Sequence, residues 1–62
     1  MSYAEAKQIA LLRVELRTCW ENQDYAGAGV ALARLTAVAV GAENDNELNA
    51  EVKRWAFKLQ VA

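Results

Sequence analysis

Proline and histidine are absent from this chain, cysteine occurs once and glycine three times. Without proline, nothing enforces a break inside a helical run. The lone Cys19 excludes a disulfide within the chain. One thiolate and no imidazole cannot supply the usual zinc ligand set, so no metal and no cofactor are expected. A surplus of positive charge is missing as well. Seven basic and eight acidic side chains leave a net charge of −1, whereas proteins that live by neutralising phosphates are strongly basic. The most hydrophobic window, 25–40, is shorter than the about 20 residues that span a bilayer, and Arg34 interrupts it. Met1-Ser2-Tyr3-Ala4-Glu5 shows no basic stretch leading into an apolar core, so no secretory signal is expected. With an unpaired cysteine, these absences predict a soluble cytoplasmic protein.

What the chain does have is apolar residues, 55% of 62 positions, arranged with helical period. Ile9-Leu12-Leu16-Cys19, Tyr25-Ala28-Leu32-Leu35-Ala39 and Leu48-Val52-Trp55-Leu59 each step by three or four residues. At 3.6 residues per turn such steps return to one helix face. The spacing predicts an all-α fold, a small bundle of a helical hairpin plus a third helix, with helices over 3–22, 25–40 and 45–60. No stretch alternates with period two, so no strand is expected. A chain of this length buries only about 60% of its unfolded surface, which leaves a single core marginal. Homodimerisation is the expected way of completing it.

Local signals set the ends. Ser2 with Glu5, and Asn44 with Glu47, fit capping boxes. Asp24 is placed to cap the second helix, and Gly41 to stop it in a left-handed conformation. The second helix carries only Arg34 and Thr36 as polar side chains. A helix apolar on every side is a buried one, so it is predicted to be central. Gly27 and Gly29 then call for close approach of another helix to offset their helix penalty. The turn Asp24-Tyr25-Ala26-Gly27-Ala28 resembles the D-Y-x-x-A that opens the second helix of a tetratricopeptide repeat. The resemblance covers five residues. Glu15 and Leu16 stand where that family has leucine and glycine, so it describes a helix-turn-helix hairpin and not kinship.

Few residues are candidates for chemistry. Cys19 lies late in its helix, at the end of the dipole that disfavours a thiolate, and reads as a small buried hydrophobe. The run Glu43-Asn44-Asp45-Asn46-Glu47 lacks the glycine and glutamate of a calcium loop and reads as a solvated cap. Glu47 and Glu51 share a helix face, but acid–base catalysis needs a pocket that perturbs their pKa values. Glu51 is expected to pair with Arg54 on the surface. Arg34 is expected either at the bundle edge, with its stem on apolar surface, or paired with an acid such as Glu15 or one on a second chain.

The second apolar ridges carry the functional expectation. Leu11, Val14 and Thr18 lie nearly opposite the main stripe of the first helix. Phe57, Val61 and Ala50 do the same on the third. Leu11, Val14 and Phe57, framed by Arg13, Arg17, Arg54 and Lys58, are therefore the expected partner-binding residues. The expectation is a non-enzymatic protein–protein interaction module. Chains of this size serve as regulators, adaptors or inhibitors, some of them virus- or prophage-encoded. Two alternatives stand beside it. One is a helical dimer that binds nucleic acid through Arg13, Arg17, Lys53, Arg54 and Lys58. The other is a structural subunit of a larger assembly.

Overall fold

The computed structural model describes residues 2–42 and 44–62. The apolar periodicity folds as three helices, α1 (Tyr3–Glu21), α2 (Tyr25–Gly41) and α3 (Asn46–Val61), with no strand among the described residues. Each helix begins where a short polar side chain accepts an otherwise orphaned amide. The Ser2 hydroxyl accepts from the Glu5 amide at 3.2 Å. The Asp24 carboxylate accepts from Gly27 at 2.9 Å. For α3 the cap is Asp45, whose carboxylate accepts from Leu48 at 3.0 Å, and not Asn44 as the capping-box pattern suggested. Glu43 and Met1, which the sequence reading assigned to the acidic link and to the N-terminus, lie outside the described residues.

The helix ends depart further from expectation. Asp24 donates its amide to Cys19 and Gln23 donates to Trp20, the paired bonds that close a helix through a left-handed residue. That residue is Gln23, at φ 59°, and no described glycine has positive φ. A side chain tolerates this conformation at a cost of about 1 kcal/mol. Gly41, expected to be the left-handed stop of α2, instead lies inside the helix. Ala42 ends it at φ −120°, donating its amide to Ala39.

α1 and α2 form an antiparallel hairpin, and α3 folds back against α2. Ile9, Leu12 and Leu16 of α1 meet Ala28, Ala31, Leu35 and Ala39 of α2, with Leu48 of α3 closing the core. Leu16, Leu35 and Leu48 are fully buried, and Val52, Trp55 and Leu59 pack around them. α2 is central in that it packs on both other helices. It is not buried on all sides, however: Val30 is 55% and Val40 69% exposed. Arg34 lies on the exposed side and forms no ion pair with a described residue of its own chain, Glu15 included. Cys19, the last residue of the inward stripe, is only half-buried, as is Trp20 beside it. Gly27 does meet a close neighbour in Cys19, but nothing lies within 4 Å of a side chain built at Gly29.

Candidate protein-docking surface

α1 and α3 are joined less by core contact than by side chains reaching across the gap between them. Arg13 donates Nε to both carboxylate oxygens of Glu51, at 2.9 and 3.1 Å, and its Nη2 lies 2.7 Å from Oε1. Such a two-pronged pair holds a planar guanidinium in a defined orientation. Glu51 therefore bonds across the bundle, 38 positions away, and not with the neighbouring Arg54 as expected. With Arg13 47% exposed, solvent keeps the pair's contribution small, within about 1 kcal/mol.

An aromatic stack closes the other end of the gap. Trp20 stands edge-on to Trp55, with ring centroids 5.9 Å apart, and to Tyr25 at 5.5 Å. Lys58 lies over the Trp55 ring, its Nζ 4.8 Å from the centroid, and 5.6 Å from that of Trp20. This geometry favours a cation through the negative face of the ring. Trp20 and Trp55 are thus spent in tying the C-terminal half of α3 to α1.

Between the ion pair and the aromatic stack lies an open cleft of ≈ 280 Å³ lined by Arg13, Val14, Arg17, Thr18, Glu21, Glu51 and Trp55. Glu51 and Trp55 also border a second hollow, shared with Arg54 and Lys58. Five of the seven residues expected at a partner surface, Arg13, Val14, Arg17, Arg54 and Lys58, are thereby brought to one side of the bundle. The other two are not. Leu11 turns toward the α2 side of α1, one turn from Glu15. Phe57 lies on the far shoulder of α3 beside Val61. The four large apolar members of the second ridges stand open to solvent: Leu11 57%, Val14 63%, Phe57 66% and Val61 67%.

A second groove runs on the other flank of α1. Val14, Glu15, Thr18 and Cys19 face Gly27, Val30 and Ala31 of α2 across it, and its walls are almost wholly apolar. Sequence periodicity did not reveal this groove, because on α2 only Arg34 and Thr36 are polar, too few to mark the side on which Val30 lies. Partial burial, then the adjacent Asp24 carboxylate, push the Cys19 thiol above its ordinary pKa. The thiolate is the reactive form, so Cys19 is expected to alkylate more slowly than a free thiol at pH 8 and to reach full rate only at higher pH. Asp24→Asn keeps a capping residue and removes the charge. It should speed iodoacetamide labelling at that pH, and an unchanged rate would show that Asp24 does not govern the thiol.

Among the described residues no group of three His, Cys, Asp or Glu is placed to hold a metal ion, and no helix is long and apolar enough to cross a membrane. Asp45 of the α2–α3 turn is used in capping α3. Compared with known protein families, curated proteins and solved structures, the chain matches none.

Proposed function

We propose that this chain is a non-enzymatic protein–protein interaction module, a small regulator, adaptor or inhibitor that acts by covering part of a larger protein. The observation that supports the reading is the make-up of the α1–α3 side. Exposed Val14 stands at a cleft lined by Trp55 and Arg17, and Trp55 also borders the adjoining hollow with the cations Arg54 and Lys58. Aromatic and arginine side chains around a dry centre are what carry binding energy at protein interfaces. Arg17 and Arg54 form no ion pair with a described residue and so remain able to meet acidic groups on a partner. Arg13 does not: Glu51 holds it, and its part is to shape the cleft.

Affinity capture from a nuclease-treated extract of the native host tests this reading. Wild type is compared with Arg17→Glu/Arg54→Glu and with Phe57→Glu, each checked for intact helical circular dichroism. All three positions are exposed, so folding should survive. The charge reversal is expected to lose the captured protein and Phe57→Glu, on the far shoulder of α3, to retain it. A folded charge-reversal variant that keeps the same protein at wild-type yield would remove the α1–α3 side as the docking surface.

A further inference from the structure

α2 differs from its neighbours on the side facing away from the core. The outer faces of α1 and α3 are dressed with Lys7, Arg13, Arg17, Lys53, Arg54 and Lys58, whereas Arg34 is the sole charged residue of α2. At 100° per residue, Ala26, Gly29, Ala33, Ala37 and Val40 share one stripe opposite Ala28 and Leu35. Every one of them is exposed. An apolar helix face left bare over its whole length is an unfinished contact.

The stripe is also symmetric. Its steps run three, four, four, three, so it reads alike in both chain directions about Ala33. A two-fold axis there sets Ala33 against Ala33, Gly29 against Ala37 and Ala26 against Val40. A closed two-fold contact requires that reciprocity, residue i meeting j wherever j meets i. Small side chains at the centre also let two helix backbones come to the near end of the usual 8–10 Å spacing.

Area supports the same occupant. The chain exposes 4467 Å². A folded monomer of 6.8 kDa exposes about 3,950 Å² by the usual size scaling. The surplus is about 500 Å² per chain, and covering that much on each of two copies would bury about 1,000 Å², the size at which specific interfaces begin. The charges at the rim are complementary too. Cys19 packs at the level of Gly27, so Glu15, one turn earlier on antiparallel α1, lies level with Ala31. The axis through Ala33 carries that level to the one beside Arg34, on the same rim. Neither Glu15 nor Arg34 forms an ion pair with a described residue.

We propose that the outer face of α2 seats a second copy of this chain, antiparallel, about a two-fold axis through Ala33. The result is a closed six-helix dimer whose α1–α3 sides face outward. The proposal is independent of the α1–α3 docking surface, because its test reads mass on the purified chain alone.

Sedimentation velocity across a concentration series is the measurement, applied to wild type, Ala33→Glu and Phe57→Glu. Wild type is expected to pass from monomer to dimer in the micromolar range and to stop there. Ala33→Glu sets two carboxylates against each other at the axis. It should raise the dissociation constant at least about tenfold, with helical circular dichroism unchanged because Ala33 is exposed in the single chain. Phe57→Glu, off the stripe, should dimerise like wild type. A wild type that stays monomeric at millimolar concentration, growth past the dimer, or an Ala33→Glu that dimerises as wild type does would each overturn the proposal.

Discussion

Leu35→Ala is expected to leave most of the chain unfolded at physiological temperature. Leu35 is fully buried at the centre of α2, between the α1 leucines and Leu48. Truncating such a side chain removes its transfer free energy and leaves a cavity, a loss of about 2–5 kcal/mol. Stability of about 0.05–0.15 kcal/mol per residue gives a chain of this length only about 3–9 kcal/mol in total. Its neighbours one turn away on α2 are small: Ala31 and Ala39 cannot swing into the space. The cost should therefore fall in the upper half of that range. Leu32→Ala, on a half-buried position, is expected to cost visibly less. Urea unfolding followed by circular dichroism at low chain concentration separates the two. Equal midpoints for wild type and Leu35→Ala would mean that the three stripes do not converge on α2.

Burial of Leu35 was legible because its own stripe contrasts with polar neighbours on α1 and α3, where Ile9-Leu12-Leu16 and Leu48-Val52 alternate with charge. Phase was lost on α2. A helix apolar on every side offers no contrast, so periodicity identified Ala28, Leu35 and Ala39 but treated Val30 and Val40 as equally inward. The structure buries Ala28, Leu35 and Ala39 and leaves Val30 and Val40 open. Choosing between these sides depends on how closely two helices can approach, which small residues decide and hydropathy does not record.

The candidate surface divides the same way. Exposure of Leu11, Val14 and Phe57 followed from one-dimensional spacing. That they fall on different sides of the bundle did not, because Val14 and Phe57 lie on different helices and the angle between helices is not written in either. The Arg13–Glu51 bond was beyond reach for a related reason. Only partners three or four positions away are visible along one helix, so Glu51 was matched with Arg54. Caps lay between these extremes. Asn44 and Asp45 are comparable capping residues, and chain direction after Ala42 selects the second. The left-handed residue after α1 was missed because Gln23 carries no glycine signal. Its conformation follows from the hydrogen bonds that Asp24 and Gln23 return to Cys19 and Trp20.

The same substitution made two residues apart on α2 should have opposite effects. Gly27→Ala is expected to destabilise by about 1–2 kcal/mol, although alanine alone favours a helix interior over glycine by about 1 kcal/mol. A Cβ at Gly27 would collide with the Asp24 carboxylate and lie 3.0 Å from Cys19 Sγ. The carboxylate cannot move aside freely, since it accepts the Gly27 amide and starts the helix. Losing that cap costs about 0.5–2 kcal/mol, and crowding at the sulfur adds about 1–3 kcal/mol before relaxation. Gly29→Ala meets none of this. Its backbone is not in the left-handed region and nothing lies within 4 Å of the new methyl, so it should stabilise by about 0.5–1 kcal/mol through the unfolded state. For a domain this small, 1 kcal/mol moves the melting midpoint by about 4–8 °C. Thermal melts at low micromolar concentration, where self-association through α2 contributes little, should place Gly29→Ala above wild type and Gly27→Ala below it. If both variants melt higher than wild type, the α1–α2 turn has room that this packing denies, and Gly27 is retained for some reason other than its neighbours.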